Sequence, residues 1–125
     1  MRGDEARVID LFCSWLEREG WTARREVDFC DVVAERGDQR HYAEAKGVTS
    51  SVGLDVDTLY GQLLRRTPVG DDSSATFGVV VPPRLREAAL RVPARTRAAL
   101  HITVYVVADD GTVVAIGPEE EPGAA

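Results

Sequence analysis

The dipeptide Gly37-Asp38 sits between two runs that read as β-strands, Phe29 to Glu35 and Arg40 to Lys46. A two-residue loop with glycine first suits a type II′ hairpin turn, whose first central position needs positive φ. The turn Arg36-Gly37-Asp38-Gln39 therefore predicts an antiparallel hairpin and fixes its register, with paired residue numbers summing to 75. Glu35 then faces Arg40, Val33 faces Tyr42 and Asp31 faces Glu44. Side chains alternate along a strand, so Asp31, Glu44 and Lys46 share one face. The other face carries Val32, Ala34, Ala43 and Ala45, small enough for a helix to pack closely.

The rest of the chain supplies the layers that such a hairpin needs. Val8, Leu11, Phe12, Trp15 and Leu16 form one apolar helical stripe, with Asp4 placed to cap it and Gly20 placed to end it. Trp21 to Val27 reads as a strand. A second helix carries the stripe Val56, Leu59, Tyr60, Leu63 and Leu64, with Asp55 or Asp57 as its cap. Thr76 to Val81 and His101 to Val107 are apolar runs that fit buried strands. Between them Arg84 to Leu100 is helical in composition and broken at Pro93. Asp109-Asp110-Gly111 turns the chain into a last strand, Thr112 to Ile116. Gly47 to Gly53 and Pro68 to Ser74 read as loops. The expected architecture is α/β: a helix, a three-strand antiparallel meander, a helix, a strand, a helical segment and two strands. Strands separated by helical segments pair in parallel through crossovers, which puts helices on both faces of a mixed sheet.

Length and composition bound the functions open to it. The 125 residues suit one domain, residues 1–116, followed by an acidic tail at 117–125 containing Glu119, Glu120 and Glu121. No apolar run reaches the length of a membrane span, so no membrane partner is expected. Cys13 and Cys30 have no metal-ligand spacing and read as buried thiols of a cytoplasmic protein. The net charge of -6 runs against nucleic acid as a partner, and without the three tail glutamates it is -3. A bound divalent ion would reduce it further.

The residues that carry chemistry cluster at the open end of the hairpin. Opposed carboxylates have Cβ atoms about 4.5–5.5 Å apart and destabilise each other unless a cation lies between them. A hard divalent ion held by one or two carboxylates and several waters is the natural choice for Asp31 and Glu44, with Mg²⁺ fitting best and Mn²⁺ as its substitute. Lys46 is the one lysine among fifteen basic residues. A compact ammonium can approach a single water as a point charge, which a planar guanidinium cannot. The plainer reading is a solvated sheet face with a Glu44–Lys46 pair. Glu5, near the start of the first helix, is a candidate third carboxylate or simply an acid favoured by the helix dipole. Gln62 on the second helix is a candidate to hold water or a phosphate oxygen, or a boundary polar residue. Arg65 and Arg66 could grip a phosphate backbone or answer the helix dipole. Thr49, Ser50 and Ser51 could donate to phosphates or be plain loop residues. Arg84, Arg86, Arg91, Arg95 and Arg97 read as a solvated helical face. His41 and His101 read as packed histidines.

Asp31, a spacing of thirteen, Glu44-Ala45-Lys46 on the next strand, and a following helix with Gln62 together resemble the PD-(D/E)xK nuclease superfamily. The resemblance covers roughly residues 4 to 81, including the element order. The later segment, ending Val106-Val107-Ala108-Asp109-Asp110-Gly111-Thr112-Val113, looks like small restriction-endonuclease-like proteins of that class. Cys30 precedes Asp31 where the pattern's name has proline. The resemblance implies a restriction-endonuclease-like fold and a Mg²⁺-dependent phosphodiesterase that hydrolyses DNA. It implies metal ligation by Asp31 and Glu44, with Glu5 matching an acidic residue on the first helix of some members. Lys46 would position or activate the attacking water, and Gln62 would match the helix glutamine of other members. The alternative is a catalytically silent, nuclease-like interaction module with a protein partner in a defence or repair assembly. A homodimer is a further expectation, because two-fold pairing would match the two strands of a duplex.

Overall fold

The computed structural model describes residues 2–27, 30–47, 52–66 and 75–118. Its elements are α1 (Arg2–Arg18), β1 (Thr22–Val27), β2 (Cys30–Arg36), β3 (Gln39–Ala45), α2 (Val52–Arg66) and β4 (Thr76–Val81). A 3₁₀ turn over Pro83–Leu85 leads to α3 (Arg86–Ala89), α4 (Ala94–Leu100), β5 (Ile102–Val107) and β6 (Val113–Ile116). The strands form a single six-stranded sheet in the order β1-β2-β3-β4-β5-β6. β1, β2 and β3 are the antiparallel meander. β4 adds parallel to β3, β5 parallel to β4, and β6 returns antiparallel. The expected element order and pairing are met, for the expected reason: only strands separated by a helical crossover run parallel.

α1 covers one face. Its Val8, Phe12, Cys13 and Leu16 pack on Val32, Ala34, Ala43 and Ala45, with Val80, Tyr105 and Val107 beyond them. The alanines let the helix backbone come close to the meander. α2 and the short helices cover the other face, where Val56, Leu59 and Leu63 meet Val79, Val81, Val104, Leu85 and Ala89. Each large apolar side chain buried this way contributes roughly 1.5–3 kcal/mol.

Several local expectations are corrected. α1 begins at Arg2, so Asp4 lies in its first turn and is not its cap. α2 begins at Val52, which leaves Asp55 inside the first turn, where it is buried. Leu64, expected on the buried stripe, is 51% exposed. His101 does not start a strand but ends α4 in the left-handed region, with φ 57. Arg97, expected on a solvated face, is fully buried. It donates from Nε to the Val92 carbonyl and from Nη1 to the Gly117 carbonyl, tying the segment before α4 to the end of β6. The break at Pro93 gives two short helices, as expected. The predicted loop at 68–74 and the tail from 119 onward lie outside the described residues.

His41 is packed, as expected. Its Nδ1 lies 2.6 Å from Thr76 Oγ1 and its Nε2 lies 3.1 Å from the Tyr105 hydroxyl. Burial pushes its pKa down to about 4. Gly78 makes room for this group, since a Cβ there would stand 2.6 Å from Tyr105 Cε2 and 2.9 Å from His41 Nε2.

Candidate functional site

The hairpin turn forms as read from its two central residues. Gly37 has φ +61 and Asp38 does not enter the left-handed region, which is the type II′ pattern. The pairs Arg36–Gln39, Glu35–Arg40, Ala34–His41, Val33–Tyr42 and Val32–Ala43 follow in the predicted register.

Past Val32–Ala43 the ladder gives way to side chains. The Asp31 backbone N–H donates to Glu44 Oε2 at 3.3 Å. The Ala45 N–H donates to Asp31 Oδ2 at 2.9 Å. Each acidic residue is thereby clasped to the other's strand. The β1–β2 ladder is irregular beside this clasp. Glu26 adopts φ 54, and the Glu26–Asp31 pair is missing between Arg25–Val32 and Val27–Cys30. Cys30 packs with Val33 and Tyr42, not with Val32 and Ala34, so strict alternation slips there. Irregularities of this kind re-aim side chains at the ends of ladders and beside active sites. Alternation puts Asp31 and Glu44 on one face. In the structure each carboxylate accepts a backbone N–H of the other's strand, and Asp31 lines a cavity with Ala6, Ile9 and Asp10 of α1, on the side of the sheet that carries Ala43 and Ala45.

The surroundings of the two carboxylates differ. Glu44 is completely buried and stands beside Val79 of β4. Asp31 is half-buried and helps line a cavity of about 240 Å³ with Ala6, Ile9, Asp10, Arg25 and Glu26. Arg25 of that cavity is paired with Asp10. The Cys30 thiol is pushed up to about 11, first by burial and then by the Glu44 carboxylate, with a smaller push from Asp31. At neutral pH it is a protonated, inert thiol that bonds the Ala43 carbonyl at 3.3 Å.

Lys46 follows β3 directly, and its N–H donates to the Val80 carbonyl at 3.0 Å. Its side chain is half-buried and has no ion-pair partner among the described residues. The next residue, Gly47, is pressed against α1: a Cβ there would lie 2.6 Å from the Glu5 nitrogen and 2.8 Å from Asp4 Cβ. The first turn of α1, with Glu5, thus sits at the same end of the sheet as Lys46. Among the described residues no three His, Cys, Asp or Glu side chains form a group able to hold a metal ion, so Glu5 does not complete a trio with Asp31 and Glu44. Gln62 is half-buried on α2. Arg65 is exposed and donates from Nε to the Gly61 carbonyl at 3.4 Å. Arg66 ends α2, but its side chain lies outside the described residues, as do Thr49, Ser50 and Ser51.

Sequence reasoning missed Asp55 as a buried carboxylate. Its position four residues before the fully buried Leu59 places it on the inner stripe of α2, and that spacing was the available signal.

The fold is shared with a solved structure, an XisH family protein from Nostoc punctiforme PCC 73102. The match has a TM-score of 0.61 at 17% identity and covers 89% of this chain and 99% of that one. At that identity the likeness is one of fold. The six-stranded mixed sheet with helices on both faces is consistent with a small restriction-endonuclease-like fold. No protein-family model matches the chain, and no curated protein sequence does either. No helix among the described residues is long and apolar enough to cross a membrane.

Proposed function

We propose that this chain is a nuclease-like phosphodiesterase that hydrolyses DNA with a divalent metal, through Asp31, Glu44 and Lys46. The observation that carries the reading is the reciprocal clasp. Asp31 donates its N–H to the Glu44 carboxylate and accepts the Ala45 N–H with its own. Hydrogen bonds to a carboxylate fix its orientation, as the outer shell of a metal site does.

The donor set fits Mg²⁺ or Mn²⁺. Both acids offer hard oxygen ligands, and an ion of this kind takes only one or two carboxylates and keeps several waters. When bound, it supplies Lewis-acid activation of water and neutralises charge on the phosphate. The chain's own residues do the rest. Asp31 and Glu44 would hold the ion, while Glu5, on the adjoining turn of α1, lies at the same end of the sheet without completing a trio with them. Lys46, with no carboxylate among the described residues to occupy it, orients the attacking water and stabilises the negative charge that develops on the phosphate. Gln62 holds a water or phosphate oxygen from α2. Arg65, Arg66, Thr49 and Ser50 contact the DNA backbone.

The test is incubation with plasmid, single-stranded and branched DNA in Mg²⁺ or Mn²⁺ against a chelator. Cleavage should need the ion and disappear in Lys46→Ala with the circular-dichroism spectrum unchanged. Full activity in Lys46→Ala would refute the assignment. Titration calorimetry of Asp31→Asn should show Mg²⁺ affinity lost, and unchanged affinity would count against the ligand role.

A second reading has observations of its own. Glu44 is wholly buried, no carboxylate trio forms among the described residues, and the chain is acidic. These favour a nuclease-like module that binds a protein partner without cleaving. No cleavage of any of the three DNAs with either ion, and no heat on adding Mg²⁺, would select it.

A further inference from the structure

We infer that the outer face of α2 pairs two copies of this chain, antiparallel about a two-fold axis at the level of Leu59. The inference does not depend on the nuclease reading.

Leu54, Asp57, Gly61 and Leu64 follow one another at spacings of three, four and three, on the side of α2 opposite the fully buried Leu59. Leu54 is 67% and Leu64 51% exposed, and they are two of the four large hydrophobic residues exposed among the described residues. Between the two leucines stands Gly61, which weakens a helix interior, and Gly53 lies in the first turn beside Leu54. A Cβ at either glycine would meet nothing within 4 Å, so the backbone lies open there. Alongside runs a groove of about 510 Å³, walled by Gly53, Asp57, Gly61 and Leu64 on α2 and by Ala88 and Arg91 across from them.

The seam is self-complementary. Laid antiparallel on a second α2, Leu54 of one copy meets Leu64 of the other, and Asp57 lies over the other's open Gly61. Charge makes the choice of a second copy over an unrelated protein. Asp57 stands on one wall of the groove and Arg91 on the other. Neither has an ion-pair partner among the described residues. A two-fold axis brings each copy's Arg91 toward the other's Asp57, so one pairing is made twice.

Sedimentation of the full chain from about 1 µM to about 1 mM tests this, the range over which weak association is measurable. The expected result is a monomer–dimer equilibrium that moves with concentration. Gly61→Arg adds bulk where the single chain has room, so it should leave the circular-dichroism spectrum unchanged and abolish the dimer. Asp57→Arg and Arg91→Asp should each weaken association about tenfold, as like charges meet, and the two together should restore most of it. A monomer at every concentration would overturn the inference. So would a dimer indifferent to Gly61→Arg, or a double variant no tighter than the single ones.

Discussion

The two ends of the β2–β3 hairpin treat charge in opposite ways. At the turn, every charge faces water. Glu35 lies 3.8 Å from Arg24 and 3.6 Å from Arg40, in pairs that water screens. Arg36 lies over the Trp21 ring at 4.4 Å and donates to the Glu19 carbonyl. The ladder there is regular. At the open end the ladder breaks, one carboxylate is half-buried and the other is removed from water altogether. Burying an ion costs several kcal/mol even after relaxation. A fold that needed only stability would make both ends like the turn. Of the two ends, the cost falls on the one where the clasp and Lys46 stand, the end to which the proposed chemistry is assigned.

The contrast can be broken most decisively by kinetics. Asp31→Asn or Lys46→Ala should lower DNA cleavage by about 100-fold or more, the scale of losing one group that acts on the transition state. Glu35→Gln should leave the rate within about twofold, since surface charges far from the chemistry contribute little. Equal losses at both ends would remove the distinction.

His41, midway along β3, sharpens it by being buried and neutral. Its pKa falls from an ordinary 6.5 to about 4 because burial disfavours the charged ring. The unfolded chain therefore takes up a proton below 6.5 that the folded chain refuses. The stability this contributes is complete above pH 6.5 and is lost as pH falls toward 4. The loss is about 3 kcal/mol across that window. Urea unfolding at a series of pH values should show this slope in the wild type and a flatter one in His41→Gln.

The two glycines at the ends come next. Gly47→Ala drives a methyl into the α1 backbone and should cost about 2–3 kcal/mol. Gly37→Ala meets no neighbour and suffers only its positive φ, about 1 kcal/mol. Urea midpoints compare them directly, and the reverse order would mean that the contact with α1 is not rigid. The smallest effect belongs to Arg40→Ala, which should be indistinguishable from wild type in the same assay.

Much of this was legible in the sequence because the signals were local. Gly37-Asp38 dictated the turn and, with it, the register up to Val32–Ala43. Pro93 split the helical segment, and separation by helices dictated which strands run parallel. The irregularity at Glu26 and Cys30 was not legible, because a positive φ at glutamate leaves no mark in composition and is set by the neighbouring strands. Arg97 was misread because an arginine among other arginines looks solvated. Only the folded chain brings the Val92 and Gly117 carbonyls to it. Leu64 continues the apolar run of α2, yet it lies toward the side of the helix turned away from the fully buried Leu59 and stays exposed.

The six strands lie side by side in the order in which they are synthesised. Each newcomer therefore finds its neighbour already in place, and no earlier seam has to open to admit it. A chain emerging from the ribosome can lay its sheet down in one direction, like courses of brick.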